Sequence, residues 1–484
     1  MAARSAVTAL RVAASALAAV LWAAPAAAQV DADPLTGIWQ GTAATGGFQL
    51  HLVLHVDAAA DGGYRARIDL LDECFAGLEV TDVERRQRDV AFAVPFLGGR
   101  FTGALRGAPP DRLDGEWLPG AGRVPLTFRK VTAPVLPARP QHPSGEPPYR
   151  EVDVEVPAGD GAQAVVLAGT LTLPAASGPH PGVVLLAGSG YQTRDGTIRG
   201  HHVLWVLADH LTRAGIAVLR LDKRGCGRSG GELATATSPQ LADDAAAAVR
   251  WLGARDELDR DRIGLVGHSE GGMLAPMVAT GADGDRVRCF VALAGPCVRG
   301  ADALIAQSAQ MARADGLSGA DCARIEQAYR TFFERLREDD AERRRAGLER
   351  AARAAWDDLS PDAHARLGDA VDNFVARALR LDTPWVRHVA DLDPGVALAR
   401  MRCPALLLFA ERDVHVDAAA NAAAARAALG DHPAADTVVR TIAGCNHLFQ
   451  PCATCRADEY FDLELTIAPA VLDEITHWLR ERFR

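Results

Sequence analysis

The rhythm of apolar and polar positions changes along this chain, and the changes divide it. Between about residue 35 and residue 131, apolar side chains alternate with polar ones over short stretches broken by glycine: Gly37-Ile38-Trp39, Gln49 to Val56, Tyr64 to Leu70, Val90 to Phe96, Arg100 to Leu105 and Val124 to Arg129. A period of two predicts strands with one buried face. Turns such as Asp61-Gly62-Gly63 and Asp114-Gly115 punctuate them, so residues 29–131 are expected to form a small all-β domain, a sandwich or an open barrel. Trp39 and Trp117 are expected as its core aromatics. The prolines at 134, 137, 140, 143, 147 and 148 then make residues 132–149 an extended linker, too stiff and too poor in N–H donors for a strand or helix.

From Arg150 the pattern alternates between apolar runs and amphipathic stretches, which predicts a mostly parallel sheet covered on both faces over 150–484. Val183 to Leu186, Ile216 to Leu221, Ile263 to Val266, Phe290 to Leu293, Ala405 to Phe409 and Thr437 to Ile442 are the expected strands. A helix over about 202–213 carries Leu204, Leu207, Ala208 and Leu211 on one face, and another begins with Ser238 as cap and Pro239 in its first turn, ending at Gly253. Residues from about 300 to 395 predict a charged helical insertion. Its run Glu342-Arg343-Arg344-Arg345 is expected to be a solvated face, and Phe332, Phe333, Leu336, Leu348 and Trp356 the underside of a cap.

Composition narrows the reading. At 484 residues, 49% hydrophobic and 24% charged, the chain is an ordinary globular protein of two or more domains, and its net charge of -10 argues against nucleic acid as partner. Arg4 and Arg11, the short apolar stretch Val12 to Ala24, and Ala26-Ala27-Ala28 before Gln29 have the layout of a signal peptide over 1–28, cleaved after about Ala28. An exported protein, periplasmic or secreted, with no membrane span once mature is expected, because no later stretch reaches about 18 apolar residues. Nine cysteines then lie in a compartment that permits disulfides. The Cys452-x-x-Cys455 pair, with Cys445 nearby, has no second pair at zinc-finger spacing, so a disulfide in that loop is expected, and no metal or cofactor.

The chemistry begins at Gly267-His268-Ser269-Glu270-Gly271, directly behind the strand Ile263 to Val266. A serine on a sharp turn between strand and helix, flanked by glycines that let the two pack closely, is a nucleophile elbow. The pentapeptide also arises by chance, so its surroundings must carry the claim. A serine hydroxyl needs a base, an acid that orients the base, and donors for an oxyanion. Ala410-Glu411-Arg412-Asp413 follows one expected strand and Gly444-Cys445-Asn446-His447 the next, giving the order serine, aspartate, histidine of an α/β-hydrolase fold. His447 is the expected base and Asp413 its partner, with Glu411 and Asp417 as rival acids. Backbone N–H groups of Glu270 and of Ser189, with Gly190 as alternative, in Ala187-Gly188-Ser189-Gly190 are the expected oxyanion donors. His201, His202 and His268 are read as packing or surface residues.

With these blocks in place, the chain resembles the bacterial α/β-hydrolase carboxylesterases that have a serine-aminopeptidase-like core and an N-terminal β domain. The resemblance covers most of the chain after the signal. It rests on Leu185 to Gly190, Asp222-Lys223-Arg224-Gly225-Cys226-Gly227-Arg228-Ser229, Gly267 to Gly272, Leu293-Ala294-Gly295-Pro296, Pro384-Trp385 and Asn446-His447-Leu448-Phe449-Gln450. It implies the triad Ser269, Asp413 and His447, oxyanion donors on the glycine-rich loop and a structural loop at Asp222 to Ser229; small to medium acyl esters are the expected substrates. The chain departs from the family in the cysteines around His447 and in Tyr191, where a proline is usual, which puts the floor of the acyl pocket in question. A peptidase or acyl thioesterase would use the same triad, and an exported carbohydrate- or cell-wall-binding protein without catalysis is the alternative of another class.

Overall fold

The computed structural model describes residues 33–484 apart from 46–47, 74, 120–122, 162–163, 368–370 and 431–435; the signal reading over 1–28 lies outside the described residues. Eight antiparallel strands open the fold: β1 (Gly37–Thr45), β2 (Phe48–Ala58), β3 (Tyr64–Leu70), β4 (Phe75–Arg86), β5 (Asp89–Val94), β6 (Gly99–Gly107), β7 (Pro110–Pro119) and β8 (Val124–Val131). Because β8 pairs back onto β1, with Gly41 opposite Phe128, they form a barrel that is closed rather than open, and not a sandwich. Closure removes the unpaired edges that a sandwich would leave.

The interior is aromatic. Phe92, Phe101 and Phe128 are buried with ring centroids 4.9 and 5.7 Å apart, and Trp39 is fully buried with its indole N–H on the Leu35 carbonyl at 2.7 Å. Gly103 and Gly115 are register partners, and a Cβ at either would lie 2.6 or 2.5 Å from the Phe101 ring, so both strands use glycine to admit that side chain. Strands β4 and β7 escape the alternation rule. The first carries charged residues at successive positions, Glu84-Arg85-Arg86, and the second contains Pro110, Asp114 and Gly115.

The linker is strapped down at both ends. Gln40 exchanges two hydrogen bonds with the Val135 backbone at 2.7 and 2.8 Å. Arg139 donates to the carbonyls of Phe461 at 2.6 Å and Leu463 at 2.8 Å, and Gln141 pairs with the backbone of Thr466 and Ile467. The barrel itself meets the second domain through His51 stacked on Phe461 at 3.7 Å, Phe75 against Tyr191, and Arg199 on Asp72.

The second domain runs β9 (Arg150–Ala158), β10 (Val165–Leu173), β11 (His180–Leu186), the hairpin β12 (Thr197–Ile198) and β13 (His201–His202), α1 (Val203–Arg213), β14 (Ala217–Leu221), α2 (Ser238–Gly253), β15 (Leu258–His268), α3 (Glu270–Thr280) and β16 (Cys289–Leu293). Six helices follow: α4 (Gly300–Ala314), α5 (Gly319–Leu336), α6 (Ala341–Asp358), α7 (Pro361–Leu367), α8 (Val371–Leu379) and α9 (Pro384–Asp391). Then come α10 (Pro394–Leu398), β17 (Ala405–Ala410), α11 (Ala418–Leu429), β18 (Val438–Ile442) and α12 (Pro469–Arg482). The sheet order is β18-β17-β16-β15-β11-β14-β10-β9, parallel from β18 through β14 and antiparallel at β10 and β9. One face packs on α2, α3 and α11, the other on α1 and α12. Thr237, not Ser238, caps α2: its N–H donates to Gln240 at 3.0 Å, and Ser238 occupies the first turn.

The helical insertion α4 to α9 has its own apolar core. Phe332, Phe333, Leu336 and Leu348 are buried inside it, with Trp356 packed against them, so they do not form a surface facing the sheet. The charge run is not uniformly solvated either. Arg343 and Arg345 are exposed, but Arg344 is buried and bonds Asp382 at 2.8 Å and the carbonyls of Glu338 and Asp339. No helix among the described residues is long and apolar enough to cross a membrane.

Replacing Phe101 with alanine is expected to cost the barrel about 3–5 kcal/mol, since a large ring leaves a cavity that flanking glycines do not fill. Urea unfolding of the intact chain checks this; a loss below about 1 kcal/mol would mean that the aromatic cluster is not what holds the barrel.

Candidate functional site

Strand β15 ends in His268, and the chain turns at Ser269 with φ 54° and ψ −118° before α3 begins at Glu270. A left-handed φ in a residue with a Cβ is strained, and it persists only where neighbours dictate it. Here they do: the Ser269 N–H donates to Leu293 O on β16 at 2.8 Å. A Cβ on Gly267 would lie 2.0 Å from Gly271 O, and one on Gly271 would lie 2.1 Å from Leu186 O. Strand, turn and helix thus come together at distances only glycine allows.

Across the sheet top, Asp413 follows β17 and His447 follows β18. His447 Nδ1 lies 2.7 Å from Asp413 Oδ2, and both are buried. The other Asp413 oxygen accepts the N–H groups of His415 at 2.7 Å and Val416 at 2.9 Å. Burial alone would raise the Asp413 carboxyl, but the His447 charge and hydrogen bond, with the His415 charge and the Val416 N–H, outweigh it and hold the group below its ordinary range. The rival acids are used elsewhere: Glu411 accepts the Gly444 N–H at 2.8 Å, and Asp417 caps α11.

Three imidazoles gather here. His268 Nε2 lies 3.0 Å from the His447 carbonyl oxygen, and its ring is 4.7 Å from that of His447; the His415 ring is 4.9 Å from His447 on another side. Burial pushes His268 down to about 3 and His415 down to about 4, with the His447 charge as the second cause in each. Both therefore stay neutral beside His447 near neutral pH. His268 was read from sequence as packing; it also anchors the loop that carries His447.

Ser269, His447, Glu270 and Ser189 line one cavity of about 320 Å³. The Ser269 hydroxyl makes no hydrogen bond among the described residues, and such contacts often tighten only when a ligand is present. Glu270 opens α3, where first-turn N–H groups have no intrahelical acceptor. Its side chain is a buried hub: it accepts from Lys223 Nζ at 2.9 Å, Ser238 Oγ at 3.2 Å and Trp385 Nε1 at 2.5 Å. Lys223 also donates to Gly188 O at 2.9 Å. That carbonyl and the Ser189 N–H belong to one planar trans peptide, so holding the oxygen on Lys223 turns the N–H the other way.

The cavity walls correct two sequence expectations. The insertion contributes Ala303, Leu304 and Gln307 of α4 and Trp385 and Val389 of α9, not the aromatic cluster of α5 and α6. Tyr191 lies outside the lining; its hydroxyl accepts the Gly227 N–H at 2.9 Å and its ring packs 4.8 Å from Phe75. Sequence reasoning missed Glu73, which the barrel contributes to the cavity from the turn between β3 and β4, and Gln192. Cys452 and Cys455 are disulfide-bonded, and Cys445 is a buried free thiol.

The sequence profile of the alpha/beta hydrolase fold family matches residues 183–450, more than half of the chain. The chain belongs to that family. Esterase EstD of Thermotoga maritima is 36% identical over 121 residues, 25% of this chain and 29% of the relative. An uncharacterized 31.7 kDa protein in the traX-finO intergenic region of Escherichia coli is 33% identical over 84 residues, 17% of this chain and again 29% of the relative. The matched stretches therefore span less than a third of either relative. Among solved structures, the alpha/beta hydrolase GrgF from Penicillium aligns with 18% identity and a TM-score of 0.43, over 69% of this chain and 99% of its own. The Pyrococcus furiosus esterase Pf2001 aligns with 16% identity and a TM-score of 0.42, over 72% and 97%. Within the α/β-hydrolase fold, the site sits where the strands end in loops, at the carboxyl edge of the parallel sheet.

The buried imidazoles make stability depend on pH. With folded values of about 3 for His268 and about 4 for His415 against 6.5 unfolded, the unfolded chain binds more protons below pH 6.5. Their contribution is complete above that value and is lost as pH falls toward 4 and then 3. The urea midpoint is expected to drop between about pH 7.5 and pH 5, and an unchanged midpoint would contradict the assignment.

Proposed function

We propose that this chain is a serine hydrolase that cleaves carboxylic esters, with Ser269 as nucleophile, His447 as general base and acid, and Asp413 as the carboxylate that fixes the imidazole. The observation that carries the reading is the buried His447–Asp413 pair at 2.7 Å on the cavity that also holds the strained Ser269 turn. His447 takes the serine proton as Oγ attacks the ester carbonyl. The N–H groups of Glu270 and Ser189 meet the oxyanion of the tetrahedral intermediate. His447 then returns the proton to the leaving alcohol, and water activated by the same imidazole releases the acid from the acyl-enzyme.

The likeness to the EstD esterase favours esters over amides or thioesters, and the volume of the cavity, about 320 Å³, suits small to medium acyl groups. The helices α4 to α9 serve as the cap: α4 and α9 supply one wall, and Trp385 ties that wall to Glu270. The leader-like first residues and the Cys452–Cys455 disulfide support an exported protein, periplasmic or secreted.

A fluorophosphonate probe is expected to label the intact chain and to fail on Ser269→Ala; a folded wild-type chain that takes no label would sink the reading. Asp413→Asn is expected to lower kcat about 10³- to 10⁴-fold on p-nitrophenyl esters, through loss of the correct imidazole tautomer. Faster turnover of matched anilides or thioesters than of the esters would move the assignment to a peptidase or thioesterase.

A further inference from the structure

The catalytic cavity has a wall that the hydrolase domain does not make. Glu73, in the turn between β3 and β4 of the barrel, lines it together with residues of β15, α3, α4 and α9. Its carboxylate makes no hydrogen bond and no ion pair among the described residues; Arg199, whose charge acts on it from nearby, bonds Asp72 and the Gln49 carbonyl. Gln192 lines the same cavity and is 7% exposed, but its Oε1 is closed off from that space. The Glu73 carboxylate is thus an acceptor on the cavity wall without a donor among the described residues. A third wall is the Trp385 ring, whose N–H is already held by Glu270.

A carboxylate on a cavity wall that no donor holds is complementary to a ligand that brings donors. A hydroxyl brings one donor and no charge, whereas a protonated amine brings up to three N–H groups and a positive charge, and a cation gains further from an indole face. At about 320 Å³ the cavity is at the lower end of small-molecule sites, about 300 to 1,000 Å³, so one ligand meets opposite walls at once.

Resting on the serine esterase reading, we propose that Glu73 is a cation-recognition group of the catalytic cavity, so that the preferred substrates are esters carrying a protonated amine. The barrel then acts as a specificity element: it supplies the charge against which the substrate is chosen. Burial raises the Glu73 carboxyl, Arg199 opposes this and Asp72 adds to it. An ammonium ion in the cavity would favour the ionised form. Glu73 also borders a wider cavity of about 560 Å³ between the barrel, the linker and the β12–β13 hairpin, so it stands where the two spaces meet.

The test uses ester pairs that differ only in charge: 4-nitrophenyl piperidine-4-carboxylate against cyclohexanecarboxylate for the acyl side, and 4-piperidinylmethyl against cyclohexylmethyl acetate for the alcohol side. The wild-type chain is expected to prefer the cationic member of one pair by about tenfold in kcat/KM, the worth of a charge-assisted hydrogen bond. Glu73→Gln should erase that preference by lowering kcat/KM for the cationic member about tenfold more than for the neutral member. No preference in either pair, or an equal loss for both members in Glu73→Gln, overturns the proposal. Calorimetric titration with 4-(hydroxymethyl)piperidine reads the site without turnover: binding lost in Glu73→Gln supports it, and equal binding to both proteins overturns it. Failure of the esterase reading shows separately, as no hydrolysis of any of the four esters.

Discussion

The arrangement at the sheet top depends on one buried ion pair, Lys223 with Glu270. Two opposite charges removed from water are stable only when each also finds further hydrogen bonds, and leaving one alone typically costs about 3–5 kcal/mol. Both meet that condition. Lys223 spends a second donor on the Gly188 carbonyl, and Glu270 accepts from Ser238 on α2 and from Trp385 on α9. A single pair therefore joins the glycine-rich loop, the helix behind Ser269, the helix beneath it and the insertion above it. The two backbone N–H groups proposed to meet the oxyanion belong to the residues this pair positions: Glu270 itself, and Ser189 through the peptide it shares with Gly188.

The geometry around His447 rests on a different constraint, the exclusion of competing charge. Imidazoles 4.7 and 4.9 Å away would repel a proton on His447 if they were charged. Burial keeps both neutral, so among the described residues the full charge within hydrogen-bond reach of His447 is that of Asp413. His268 then contributes through its contact with the His447 carbonyl, as a brace for the loop.

Local signals carried the parallel sheet, the Ser269 turn and the Asp413 and His447 loops, because each depends on a few adjacent residues: an apolar run that ends in glycine, or a short polar motif at a strand end. Closure of the barrel was not legible, since β4 reads as a charged segment and β7 as a turn until β8 pairs back onto β1. Glu73 and Trp385 reach the cavity from sequence positions about 200 residues before and over 100 after Ser269. No spacing rule connects such distances. The aromatics of α5 and α6 misled for a related reason: apolar positions at helical spacing say that a face is buried, but not against what, and here the insertion supplies its own partners.

The straps from the linker set a condition on how the chain folds. Arg139 and Gln141 bond backbone between Phe461 and Ile467, more than 300 positions later, and directly before that stretch stands Tyr460, whose hydroxyl accepts the His447 N–H. Contacts so distant in sequence carry a large loop-closure entropy and form slowly. The seam also needs the barrel in place, because His51 stacks on Phe461. Assembly of the loop that carries His447 is therefore a late event, completed when the early and late parts of the polypeptide meet.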